Sequence, residues 1–247
     1  MKNFNVILNG IDMNKFDSIT DRINNVKQRI TDACIRSGRK PDDVSILPVS
    51  KNFDAEHIEL MINSGFTSFG ENRIQEIREK YNIINKDIKW VMIGNLQMNK
   101  AKEAINYIDE LESLDRLDLA LVLDKHLKLE KKSLKTLVQV KTSSEPQKHG
   151  LNPENLIDFI GKVSENYKSL EIIGLMTIAE NSKDNKIVRN CFNVLYKLMR
   201  KVNEQKISGV NLKKLSMGMS DDFEIAIEEG ATEVRLGSII FGKRIYK

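Results

Sequence analysis

A closed barrel of eight parallel strands alternating with helices, the (β/α)8 fold, is what the sequence predicts. Three observations predict it. Eight short runs of strand-like composition alternate with runs of helical periodicity. The connections between these runs are short. The chain has 247 residues, close to the roughly 250 of one such barrel, so residues 1–247 read as a single domain. A doubly wound open sheet is the alternative, and a count of eight strands favours the barrel.

The elements follow in order. Residues 1–14 show no clear pattern and are expected to be a tail. From 18 to 37, Ile19, Ile23, Val26, Ile30 and Cys34 recur at three- and four-residue spacing, and Gly38 supplies a stop. Residues 45–51 read as a buried strand. Asp54 is a good N-cap for a helix through Ile58 and Met61 that ends at Gly65. A strand is expected at 66–69, a helix at 74–81, a strand at 89–93 and a short helix at 99–107. The fourth strand, 111–114, is weak, and a helix at 116–126 follows it. Residues 136–141 form a strong fifth strand. The next helix opens with Asn152 as cap, Pro153 at its first position and Leu151 as a staple to Leu156. Strands at 171–177, 213–217 and 233–236 complete the set. A helix at 190–202 and one opened by an Asp221/Glu224 capping box lie between them.

Composition narrows the function. Hydrophobic residues make up 40 % and charged residues 30 %, as in ordinary soluble domains. The net charge of +4 is built from interleaved signs, which reads as a solvated surface and not as a nucleic-acid footprint. The tract Lys128, Lys131, Lys132 and Lys135 is expected outside the strands as a solvated face. The 2 cysteines, Cys34 and Cys191, fall in helical patterns and read as small buried apolar residues. The 3 histidines, His57, His126 and His149, are scattered without metal spacing. No secretory signal and no membrane-spanning run is visible, so a cytoplasmic protein is expected.

In a barrel of this type the working face lies at the carboxyl ends of the strands. Strand one ends at Lys51, which by alternation shares a face with Leu47 and Val49. A lone lysine at a strand end is usually just solvated; the rest of the rim changes that reading. Strand two delivers Glu71 and Asn72, and strand three delivers Asn95, Gln97 and Asn99. Strand seven delivers Gly218, Met219 and Ser220, and strand eight Arg235, Gly237 and Ser238. Small residues and hydroxyls after strands seven and eight form the usual phosphate cradle of this fold. Strand eight neighbours strand one on closure, which brings Arg235 near Lys51. A guanidinium beside an amine favours the neutral, nucleophilic amine. Parity also turns Glu233 inward, where it is expected to pair with Arg235. Lysine, arginine and phosphate cradle together suggest pyridoxal 5′-phosphate (PLP) held as a Schiff base.

The same residues carry a resemblance. The motifs are Val49-Ser50-Lys51, Phe69-Gly70-Glu71-Asn72, Ile93-Gly94-Asn95-Leu96-Gln97 with Asn99-Lys100, and Asp115-Arg116-Leu117. Further on come Lys148-His149-Gly150, Gly174-Leu175-Met176-Thr177, and Ser216-Met217-Gly218-Met219-Ser220-Asp221-Asp222. Val234-Arg235-Leu236-Gly237-Ser238 and Phe241-Gly242 close the set. As a set, from about residue 19 onward, they resemble the pyridoxal phosphate homeostasis protein family. The resemblance implies a barrel like the amino-terminal domain of alanine racemase. It implies Lys51 as the PLP-linked lysine and Arg235 facing the pyridine nitrogen. Ser220, Gly237 and Ser238 would hold the phosphate, with Asn72 beside the cofactor. It implies a role in vitamin B6 balance without an established catalytic reaction, with PLP-dependent apo-enzymes as acceptors. Four positions depart from the family pattern: Arg73 where tyrosine is common, Asn95 where histidine or proline is common, Ser238 for threonine, and Lys243 for alanine.

Two enzyme readings stand against a carrier. A PLP-dependent amino-acid racemase suits the barrel and Arg235. It needs an acid or base on each face of the substrate. Lys51 serves one face, and the tyrosine for the other comes from a second domain that is not expected here, with Tyr246 as a remote substitute. A class I aldolase places its lysine on the sixth strand, where this chain has none. A monomer without nucleic-acid or membrane partners is expected.

Overall fold

The computed structural model describes residues 13–84 and 86–242, with side chains described from residue 19. Of the expected tail, only Met13 and Asn14 are described, and both are helical. Lys243 and Tyr246 lie outside the described residues.

Eight parallel strands form the wall: β1 (Ser45–Pro48), β2 (Ser68–Glu71), β3 (Lys89–Met92), β4 (Glu110–Leu114), β5 (Leu134–Gln139), β6 (Leu170–Met176), β7 (Lys214–Ser216) and β8 (Glu233–Leu236). Their order is β1-β8-β7-β6-β5-β4-β3-β2, so every strand lies beside its sequence neighbours and the ends come together. Closure between β1 and β2 is a parallel bridge from Val49 to Gly70, outside the regular ladders. That order is a barrel and excludes the doubly wound sheet.

The helices α1 (Met13–Arg36), α2 (Ala55–Asn63), α3 (Ile74–Ile83), α4 (Ala101–Ala104), α5 (Leu117–Leu129), α6 (Leu156–Asn166), α7 (Asn185–Glu204), α8 (Phe223–Glu228) and α9 (Ser238–Phe241) surround the wall. The main apolar core lies between wall and helices, where Trp90, Phe192, Phe223 and Leu111 are fully buried. Each such side chain contributes about 1.5–3 kcal/mol by leaving water. Helix α1 stands against α8 and α9 at the end of the chain. Arg22 Nε donates to Ile240 O at 2.6 Å, Arg29 pairs with Glu224 at 2.5 Å, and the Arg29 guanidinium lies 4.7 Å over the Phe223 ring.

Several expectations hold in detail. Asp54 caps α2 by accepting from His57 N at 3.2 Å, and Gly38 and Gly65 adopt positive φ after their helices. Cys34 and Cys191 are buried and unbonded to each other. Others are corrected. The weak fourth strand is buried along its whole length; its signal was blurred by Glu110 and Glu112, which face the interior. The Asp221/Glu224 capping box does not form. Asp222 accepts from Met219 N at 2.6 Å and precedes α8, while Glu224 is spent on Arg29. Asn152 makes no side-chain cap, because a 3-10 turn, Pro153–Asn155, comes before α6. The predicted helix at 99–107 is a 3-10 turn, Met98–Lys100, followed by the one-turn α4. Lys135 belongs to β5, though it is exposed like the other lysines of its tract. Among the described residues, no helix is long and apolar enough to cross a membrane.

Candidate functional site

At the carboxyl ends of the strands opens a cavity of about 440 Å³. Lys51, Asn72, Ser220, Arg235, Gly237 and Ser238 all line it, with Val49, Asn95, Gln139, Lys148, His149 and Asp221. The six residues singled out from sequence are thus brought together from four strands. Glu71 and Asn99 are not part of it: Glu71 is buried within the wall and Asn99 is exposed on its 3-10 turn. A neighbouring cavity of about 640 Å³ lies beside α3, lined by Gln97, Arg73 and Lys100, and meets the first only at Asn72 and Asn95. The smaller cavity holds the convergent amine, guanidinium and hydroxyls, and is the site.

Lys51 stands in a turn just past the bridge that closes the wall, half-buried. The turn is tied from several sides. Ser50 N donates to Gly70 O at 3.1 Å, and Phe53 N donates to Ser50 O at 3.0 Å. Asn52, at a φ of 65°, donates its N–H to Glu76 Oε2 at 3.0 Å. Behind the turn, Glu71 Oε1 accepts from Ser50 Oγ at 2.6 Å and from Lys80 Nζ at 2.5 Å, and Lys80 also donates to Ser50 O at 2.8 Å. Burial lifts the Glu71 carboxyl to a pKa of about 7 in spite of Lys80.

Arg235 is level with Leu47 in the β1–β8 register, four positions before Lys51. The arginine is therefore floor and the lysine rim. Arg235 Nη1 donates to Ser216 Oγ at 2.8 Å and Nη2 donates to Thr177 O at 2.6 Å, so its position is fixed from two strands. The expected Glu233–Arg235 pair does not exist. Glu233 is inward and buried, but its partner is Lys214, at 2.7 Å. Lys214 reaches it because β7 lies beside β8 with its own inward charge, which the strand pattern did not reveal.

The hydroxyls of Ser220 and Ser238 meet at 3.4 Å, from the loops after β7 and β8. Gly218 makes the first loop possible. Its φ is +93°, and a Cβ there would lie 2.6 Å from Ala226 Cβ of α8. On the opposite side, a Cβ at Gly94 would lie 2.2 Å from Asn72 O, so glycine lets the loop after β3 close on the backbone of Asn72. Arg116 fastens that loop by donating to Leu96 O at 2.6 Å, and Ser113 Oγ donates to Gly94 O at 2.6 Å. On the rim, Lys148 pairs with Glu145 at 2.5 Å and donates to Ala179 O.

This donor set fits a phosphorylated, electron-poor ring with a carbonyl: two hydroxyls for the phosphate, a fixed guanidinium for the ring and an amine for the carbonyl. The volume lies within the range of small-molecule sites, about 300–1,000 Å³. Sequence reasoning missed Gln139, Thr177 and the inward charges Glu112 and Lys214. The signal for Glu112, Gln139 and Lys214 was inward parity on β4, β5 and β7; Thr177 acts through its backbone carbonyl, which leaves no signal in the sequence.

Comparison with protein-family models found no match. The chain is 38 % identical over 227 residues to the pyridoxal phosphate homeostasis protein of Aquifex aeolicus, covering 92 % of this chain and 98 % of that protein. Among solved structures it is similar to PipY of Synechococcus elongatus with PLP bound. That similarity has a TM-score of 0.78 and 32 % identity, over 91 % of this chain and 100 % of PipY. Alanine racemase of Clostridium difficile shares the fold at a TM-score of 0.73 and 16 % identity, over 94 % of this chain and 59 % of the racemase.

Proposed function

This chain belongs to the pyridoxal phosphate homeostasis protein family, and from that premise we propose that it holds PLP on Lys51 and serves intracellular vitamin B6 balance. The observation that carries the reading is the convergence of Lys51, Arg235, Ser220 and Ser238 on one cavity. When bound, the cofactor supplies an aldehyde that joins reversibly to an amine, and an electron-poor ring. The chain supplies the rest. Lys51 is the amine, presented by a turn anchored on Glu71 and Lys80. Arg235 is the donor for the ring nitrogen, and as a permanent cation it keeps that nitrogen from taking up a proton. Ser220, Gly237 and Ser238 take the phosphate, and Asn72 flanks the ring.

The chain acts as a carrier that passes PLP to apo-enzymes and turns over no amino acid. Racemisation needs a second acid or base opposite Lys51. Among the described residues no tyrosine lines the cavity. The single domain is proposed to work as a monomer in the cytoplasm.

The test is the visible absorption of purified protein before and after borohydride, beside Lys51→Ala. A yellow wild type with PLP fixed at Lys51, and a variant without the adduct, is the expected result. A colourless protein that takes up no added PLP overturns the reading. Exchange of a substrate α-proton in deuterated water would establish the racemase instead.

A further inference from the structure

Below the cavity the barrel interior holds a charged cluster that the proposed function does not use. Lys214 Nζ lies 2.6 Å from Glu110 Oε1, 2.7 Å from Glu233 Oε2 and 3.5 Å from Glu112 Oε1. The ammonium thus occupies the place a metal cation would take among these three glutamates. Glu112 Oε2 accepts from Ser216 Oγ at 2.7 Å, and Ser216 Oγ accepts from Arg235 Nη1 at 2.8 Å. Arg235 Nη1 is itself 4.0 Å from Glu112 Oε2. A chain of contacts therefore runs from Glu233 through Glu112 and Ser216 to the cavity floor.

Two facts show that the cluster is one proton short when fully ionised. Three carboxylates face Lys214 and Arg235, which leaves one negative charge uncompensated in a buried space. Such a charge is costly, and a proton is the least costly remedy. Glu112 Oε1 and Glu233 Oε1 are also buried without a hydrogen-bond partner. One proton between the two groups would supply the missing donor. The electrostatics say where it resides. Burial, reinforced by the Glu112 charge, raises Glu233 well above the usual carboxylate range. Burial would raise Glu112 too. Lys214, the hydrogen bond that a protonated Glu233 would donate, Arg235 and Ser216 together bring it below its ordinary value.

We propose that Glu233 holds a proton donated to Glu112, and that anionic Glu112, acting through Ser216, is the positioning residue that sets how Arg235 meets the ring nitrogen of bound PLP. The ligand half of this proposal rests on the function proposed above; the shared proton does not. Only Nη1 and Nη2 of the guanidinium are spent on Ser216 and Thr177, and Arg235 still lines the cavity. A neutral group at 112 would weaken the hold on Ser216 and leave the floor more positive.

The experiment has two arms. Glu71 also keeps a proton near neutral pH, so infrared difference spectra are taken on the apo protein carrying Glu71→Gln. They should still show the carbonyl band of a protonated carboxylic acid, and adding Glu233→Gln should remove it. PLP affinity and the pH titration of the bound chromophore are then compared for wild type, Glu233→Gln, Glu112→Gln and Glu112→Asp. Glu233→Gln, a neutral donor, should keep affinity within about twofold and leave the titration in place. Glu112→Gln should bind about tenfold more weakly, the scale of one charge-assisted hydrogen bond. It should also move the chromophore midpoint to lower pH, since the lost anion no longer offsets Arg235. Glu112→Asp should recover part of both, and it keeps the test open if Glu112→Gln does not fold. The proposal is overturned if the apo protein shows no protonated-acid band that Glu233→Gln removes. It is equally overturned if the Glu112 variants leave the midpoint unchanged, or if Glu233→Gln shifts it as much as Glu112→Gln. Failure of the functional reading looks different: the wild type itself takes up no PLP while the infrared band persists, which removes the ligand half alone.

Discussion

Glu71 has Lys80 and Ser50 on one carboxyl oxygen, and its other oxygen is buried without a hydrogen-bond partner among the described residues. Burial raises its pKa from the ordinary 4.5 to about 7, against the pull of Lys80. The folded chain therefore keeps a proton through a window in which the unfolded chain has lost it. The stabilisation from this group is complete below about 4.5 and is lost as pH rises through about 7. Melting temperatures measured across that window should fall less in Glu71→Gln than in wild type; parallel curves would exclude the assignment. Ser220 and Ser238 lead to a second expectation at this scale. Each changed to alanine should weaken PLP binding about tenfold, as for a hydrogen bond to a charged group, without loss of the borohydride-fixed adduct. Fluorescence titration reads the first effect and peptide mapping of the reduced protein the second. Lys51 and Arg235 were legible as single residues because their charges stand at strand ends. The neighbours that fix them, Ser216, Thr177 and Lys80, carry no pattern of their own, and only the packed wall brings them together.

Elements were legible where periodicity was strong. Helix α1 and strand β5 follow from their apolar spacing alone. Strand β4 was faint for a physical reason: its Glu110 and Glu112 are polar yet buried, since Lys214 from another strand compensates them. Caps failed where a side chain had a stronger tertiary partner, as with Glu224 and Arg29. The loop after β3 allows a test at this scale. Gly94→Ala would place a Cβ 2.2 Å from Asn72 O, so one backbone must move. The expected cost is about 1–3 kcal/mol in stability, as for overpacked sites, together with weaker PLP binding through displaced Asn72. Urea denaturation and the PLP titration measure the two effects. Full affinity in a destabilised variant would show that Asn72 does not matter to the ligand.

At the scale of the molecule, the strand count and the rim residues were enough to choose the barrel over the open sheet. What the sequence did not disclose is that the barrel interior is partly ionic. Inward positions on β4, β7 and β8 carry charges that balance only in three dimensions. The polar exterior leads to a prediction for the whole chain: light scattering should give the mass of one copy, 28.3 kDa, with or without PLP. A mass of two copies would refute the monomer.

The bridge from Val49 to Gly70 gives the wall a seam. The circle is shut there by that bridge and by the Ser50 amide on Gly70 O. Lys51 is the next residue along. A molecule fastened to its amine and gripped across the mouth by the β7 and β8 loops acts as a clasp over the seam. The empty chain should breathe there, with fast hydrogen exchange at the Ser50 amide, and the loaded chain should not. Loading would then be written into the tightness of the wall itself.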